Sequence, residues 1–304
     1  MCDKQWTLCP SEQSISPPAL YLNGELDKVT AVQEETSYTR ELQKLRGGIP
    51  EHAATIAYQL SDVQLHNGCL YKRAMKLPLT AVKVSGLGTN TRSNQLSNQL
   101  EMHSEAVLAC TFSGNRYFGH WMTDDVTLTL AAQQIAETVR TSQPLTAHQV
   151  DYSNLLGIVA TPVHQAYFKK LIVIQDFGQN QFKRERYEYI RSKLRTMPSR
   201  QSGQKVMLLR GNSGTKRSLV NENEIAEFLS SQGFVIVDPQ KMSVDEILFE
   251  TLGAEIVVGV EGSQLAHGLF PLGDAGTILT LQPLGRTHTF LNTLGVAQSR
   301  LTQR

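Results

Sequence analysis

The sequence predicts an α/β fold whose C-terminal part is a parallel sheet with helices on both faces. Two observations carry this. From residue 205 onward, apolar β-branched runs alternate with helical segments of about ten residues, and such alternation requires crossovers that lay strands parallel. The helical segments also carry their own start and stop signals. Ser243 and Glu246 have capping-box spacing, and Gly233 and Gly253 end their segments. Taken in order, "KVMLLR" (205–210) is a strand, "NENEIAEFLSSQG" a helix and "FVIVDP" a strand. "SVDEILFETLG" is a helix, "EIVVGV" a strand, "SQLAHGLF" a short helix and "GTILTLQP" a strand. Residues 199–304 therefore form a Rossmann-like domain.

Upstream, "AVLACTF" (106–112) is a buried strand. Ser113-Gly114-Asn115 turns the chain, and Ala, Leu and Gln favour helix as far as Ile135. "YSNLLG" ends a helix at Gly157, and "KKLIVIQD" (169–176) is another strand. "RERYEYIRSKLRT" (184–196) is a charged amphipathic helix leading into the linker "MPSRQSGQ". Residues 1–198 make the first domain. Its first 60 residues are poorly defined, being polar and broken by Pro17-Pro18 and Gly47-Gly48.

The 304-residue length favours two domains. Apolar residues at 40% supply packed interiors, and a formal net charge of +1 gives no reason to expect nucleic acid or an anionic membrane as partner. Cys2, Cys9, Cys69 and Cys110 form no C-x-x-C pair, which favours reduced thiols. The N-terminus lacks the apolar core of a signal peptide, and no run approaches the roughly 18 apolar residues of a transmembrane segment. A soluble cytoplasmic protein is expected. Its oligomeric state is open.

In a parallel sheet, ligands bind outside the carboxyl ends of the strands. After the first C-terminal strand comes "RGNSGTKRSLVNEN", with Arg210, Lys216 and Arg217. After the third comes "GVEGSQLAHGLF", where Gly259 and Gly262 permit close backbone approach before a helix start. Backbone amides and arginines there suit a diphosphate; the plainer reading leaves solvated arginines and turning glycines. The expected ligand is an anionic nucleotide or nucleotide sugar. Neither G-x-G-x-x-G after a strand nor G-x-x-x-x-G-K-[ST] is present, which argues against dinucleotide and NTPase chemistry.

In the N-terminal half, "GNRYFGHWMTDDVTLTL" puts His120 and Asp124 four apart, on one helical face. Asp125 points about 100° away. The pair is either a catalytic acid/base couple or a packed histidine beside a helix-start carboxylate. No third ligand accompanies it, so no metal is expected. Phe118 and Trp121 read as core.

"GNRYFGHWMTDDV", "RGNSGTKRSLVNENEI" and "SVDEILFETLGAEIVVGVEGSQLAHGLF" occur in that order, and over about residues 105–285 the chain resembles glycosyltransferase family 61. That family includes bacterial capsular and exopolysaccharide enzymes, plant xylan arabinosyl- and xylosyltransferases, and animal protein O-linked N-acetylglucosaminyltransferases. The resemblance implies a GT-B fold, two Rossmann-like domains facing a cleft. It also implies inverting transfer from a nucleotide-sugar donor to a saccharide or other hydroxyl acceptor, without an essential metal or other cofactor. The family's arginine pair and asparagine-glutamate fall on Arg210, Arg217, Asn221 and Glu222. Its donor loop falls on Glu261, Gly262 and Ser263, and its histidine and aspartate on His120 and Asp124. Many eukaryotic members carry histidine where this chain has Glu261, and the "EGS" and "LAH" form resembles the bacterial branch.

Several residues have two readings. Glu261 either binds a ribose or sugar hydroxyl or holds its loop. His267 faces the donor or lies in the core. Asn221 is at least partly a helix N-cap. The alternative to a transferase is a catalytically inactive or regulatory module that binds nucleotide sugars.

Overall fold

The computed structural model describes residues 2–34, 36–73, 75–79, 100–200, 202–211 and 219–289. The chain begins with strand β1 (Lys4–Cys9), then β2 (Glu12–Gln13), helix α1 (Tyr38–Arg46) and β3 (Glu51–His52). The long strand β4 (Thr55–His66) turns back into β5 (Cys69–Lys72) and then β6 (Met75–Pro78). Next come β7 (Glu101–His103), β8 (Ala106–Leu108), α2 (Phe118–His120), a π-helical turn (Trp121–Asp125) and α3 (Val126–Ala132). β9 (Thr138–Thr141), α4 (Ala147–Leu156), β10 (Thr161–Val163) and β11 (Gln165–Gln175) follow. The remaining elements are α5 (Gln181–Leu194), β12 (Lys205–Leu208), α6 (Glu222–Ser231), β13 (Val235–Val237), α7 (Val244–Thr251), β14 (Ile256–Val260), α8 (Ala266–Leu269) and β15 (Thr277–Leu281).

These elements form two compact units, each from two stretches of chain: Met1–Pro10 with Ala54–Phe177, and Ser11–Ala53 with Gly178–Arg304. In the first unit one sheet runs β10-β9-β8-β11-β4-β5-β6, with β1 on β4 and β7 on β11. It is mixed, not the uniformly parallel sheet of a Rossmann-like domain. β10, β9, β8, β7 and β11 pair parallel, and β4, β5, β6 and β1 pair antiparallel. The reason is local. Asn67 and Gly68 both take positive φ between the paired residues His66 and Cys69, the geometry of a two-residue hairpin turn. The core cluster of this sheet gathers Val63, Leu65, Leu108, Val139, Phe168 and Leu171, all buried.

The second unit holds a four-stranded parallel sheet of order β13-β12-β14-β15. Side chains alternate along each strand. Val206, Leu208, Val237 and Val257 pack with Ile247 of α7 and with Leu265 on one face. Met207 and Val258 pack with Ala226, Ile225 and Leu229 of α6 on the other. Helices therefore cover both faces, as expected. The Ser243–Glu246 capping box forms with both of its bonds, and Gly157 caps α4 in the left-handed conformation. Strand order reverses between β12 and β14, the switch point at which loops diverge and leave room for a ligand.

Among the described residues no helix is long and apolar enough to cross a membrane. All four cysteines are free thiols, and burial, reinforced by Asp125, pushes Cys110 up to about 12.

Candidate functional site

In the first unit, the loop after β8 delivers the chain to a helix that widens at once. Trp121–Asp125 form a π-helical turn between α2 and α3, a local expansion often found at functional sites. Buried threonines serve the carbonyls around it. Thr123 donates to Gly119 O at 3.0 Å, Thr127 to Asp124 O at 2.9 Å and Thr129 to Asp125 O at 2.8 Å.

His120 Nδ1 lies 2.9 Å from Asp124 Oδ2, and both side chains are a little over one-quarter exposed. An ionised carboxylate only accepts, so with Asp124 ionised Nδ1 is the donor of this contact. The Tyr117 ring stands 6.0 Å from the imidazole, and the Arg116 guanidinium covers Tyr117 at 5.0 Å.

Asp125 differs in every respect. It is buried, and its Oδ1 accepts from Thr111 N at 3.0 Å and Thr111 Oγ1 at 2.8 Å. Any Cβ on Gly114 would overlap the Asp125 carboxylate. Asp125 therefore pins the loop after β8 to the helix. Trp121 is buried and stacks on Phe118 at 5.9 Å, which fits their reading as core.

In the second unit, the ends of β12 and β14 carry the expected residues. Arg210 is 6% exposed, and its Nη1 donates to Gln264 Oε1 at 3.0 Å. Glu222 accepts from Arg210 N at 2.8 Å and Gly211 N at 3.1 Å, so its carboxylate shapes the backbone of the first loop. Gln240 Nε2 donates to Arg210 O at 3.3 Å. Gly262 must be glycine, because a Cβ there would overlap the Arg210 guanidinium and lie 2.5 Å from Gln264 Oε1. Ser263 opens a single 3-10 turn, Ser263–Leu265, and Leu265 N donates to Gly262 O at 3.2 Å.

Other expectations fare unevenly. Asn221 stands at the N-cap of α6, but its side chain makes no capping bond. With φ −113° and ψ 34° it lacks the extended backbone that aims a cap side chain at the first turn. His267 is buried within the four-residue α8. Lys216 and Arg217 lie outside the described residues. Among the described residues no three His, Cys, Asp or Glu side chains are grouped to hold a metal ion.

Sequence reasoning missed the third strand end. The loop after β15 brings Arg286 Nη1 to 3.8 Å from Glu261 Oε2 and His288 Nδ1 to 3.5 Å from Glu261 Oε1. Glu261 thus lies between two basic side chains, 7% exposed. The available signal was position, since "RTH" (286–288) follows a sheet strand. Burial depresses the pKa of Arg210, with the Glu222 carboxylate opposing and the Arg286 charge adding to the effect. These loops therefore hold two guanidiniums, Arg210 and Arg286, against two carboxylates, Glu222 and Glu261, with His288 beside Glu261.

Residues 118–279 of the chain match the family model described as Glycosyltransferase 61. No curated protein matches the chain.

Proposed function

The chain belongs to glycosyltransferase family 61 and is a glycosyltransferase; on that premise we propose that it uses a nucleotide-sugar donor and inverts the anomeric centre. In the proposed reaction His120 Nε2 takes the proton of an acceptor hydroxyl while that oxygen bonds to the anomeric carbon. The bond from that carbon to the donor's phosphate oxygen breaks in the same displacement, and a nucleoside diphosphate leaves with the electron pair. Asp124 holds the imidazole in the competent tautomer and stabilises the imidazolium that forms. Arg210 and the backbone around Gly262 stabilise the departing diphosphate, and Lys216 and Arg217 are proposed to join them. Transfer without a metal follows, because the cationic side chains take the role a divalent ion would fill.

The observation that carries this reading is the 2.9 Å contact from His120 Nδ1 to Asp124 Oδ2, which sets a carboxylate against an imidazole in the arrangement of an acid/base couple. Asp124 as the direct base is the competing assignment, and Asp125 is not a candidate, because its carboxylate is buried on Thr111. The Glu261-Gly262-Ser263 form of the donor loop supports a setting in bacterial surface polysaccharide synthesis, in the cytoplasm, with a saccharide or other hydroxyl acceptor.

A thermal-shift panel of nucleotide sugars, run with EDTA and with added Mg²⁺ or Mn²⁺, tests the donor class. One nucleoside diphosphate and its sugar should stabilise the chain equally in both conditions. Stabilisation that requires the metal would sink the metal-independent mechanism.

A further inference from the structure

The loop after β15 holds a cation that neither the family motifs nor the matched span includes. Arg286 lies beyond residue 279, where the family match ends. Its loop is held on two sides. Gln282 Nε2 donates to His288 O at 2.8 Å and Gln282 Oε1 accepts from His288 N at 3.1 Å. The Thr30–Gln33 segment then clamps the loop's outer edge. Thr30 N donates to Leu284 O at 2.9 Å, Thr287 N to Ala31 O at 3.0 Å and Gln33 N to Thr287 O at 3.2 Å.

On this fixed loop Arg286 is about one-third exposed, yet its Nη1 is buried and has no hydrogen-bond partner among the described residues. Glu261 at 3.8 Å balances charge but is too far to accept that proton. Leaving a buried N–H unsatisfied is unfavourable. The cost is recovered when a ligand supplies the acceptor. Arg286 reaches the Glu261–Gln264 turn that Arg210 also contacts, so the loops after β12, β14 and β15 meet at this turn.

We propose that Arg286 is a phosphate-binding residue of the donor site, acting with Arg210 on the diphosphate of the nucleotide sugar. It rests on the nucleotide-donor reading above. A guanidinium offers paired N–H donors that match two phosphate oxygens, which the lone Glu261 contact leaves unused. Glu261 is then the internal counter-charge that keeps Arg286 oriented before the donor arrives.

Titration calorimetry of the full chain with UDP, GDP, CDP and dTDP tests this, using wild type, Arg286→Ala and Arg286→Lys. The diphosphate that binds wild type should bind Arg286→Ala about ten- to a hundredfold more weakly, the loss of one charge-assisted contact. Arg286→Lys should recover part of that loss, and the unliganded melting temperatures of all three should agree closely. Equal binding by wild type and Arg286→Ala overturns the assignment, as does a lysine variant no better than alanine with a lowered melting temperature. If none of the four diphosphates binds wild type, the nucleotide-donor reading fails and the assignment falls with it.

Discussion

Two adjacent aspartates show how one residue step changes the surroundings of a carboxylate. Asp124 is part-exposed and bonded to an imidazole, whereas Asp125 is buried and bonded to the backbone of Thr111. Removing a buried acceptor strands its donors, whereas changing a part-exposed ion pair is nearly neutral. Asp125→Ala should therefore lower unfolding free energy by about 2–3 kcal/mol, while Asp124→Asn should stay within about 0.5 kcal/mol of wild type. Urea denaturation of the two variants checks this, and a reversed order would contradict the division of roles. The sequence made Asp125 the weaker catalytic candidate by helical rotation alone. Its bond to Thr111 was not legible, because nothing in the spacing announces that a loop 14 residues earlier returns to the helix.

Elements far apart in sequence meet where α1 anchors the end of the described chain. Glu41 of α1 accepts from the amide of Thr289 at 2.7 Å and from its hydroxyl, from Thr36 Oγ1 at 2.8 Å and from Lys44 Nζ at 3.0 Å. Burial by itself raises its pKa, but these bonds outweigh it and bring the group down to about 2 from 4.5. The sign follows from linkage. A carboxyl with a depressed folded pKa contributes stability that is fully present above about 4.5 and is lost as pH falls toward 2. Glu41→Gln should cost about 2 kcal/mol at neutral pH and flatten the fall in stability between pH 4.5 and 2.5. Denaturant titrations across that range measure it; parallel curves for variant and wild type would show that Glu41 does not carry the dependence. Because Thr289 follows directly on the loop of Arg286, the same bonds support the proposed donor contact.

At the scale of the whole molecule, legibility tracks how local the determining interactions are. The β12–β15 sheet was readable because each strand, cap and crossover lies within a few residues of its neighbours, as Ser243–Glu246 and Gly233 illustrate. The first unit was harder, since β4 pairs with β11 from about a hundred residues away and only register and packing choose that partner. Its hairpin signal, Asn67-Gly68 between alternating apolar residues, was present and could have been used. Residues 11–53 gave no sign that they would join the second unit, because isolated bridges and backbone bonds such as Thr30 to Leu284 leave no mark on composition. The loops after β12 and β14 were singled out from the strand–helix alternation and the His120–Asp124 pair from its four-residue spacing, while Arg286 was passed over because it follows the last motif. In the proposed mechanism Arg210 and Arg286 bind the donor and the His120–Asp124 pair removes the acceptor proton. The most direct test of this mechanism measures donor affinity and transfer rate together in Asp124→Asn. The transfer rate should fall at least about a hundredfold while the donor dissociation constant stays at the wild-type value. Unchanged turnover, or a rate lost only in step with donor affinity, would contradict it.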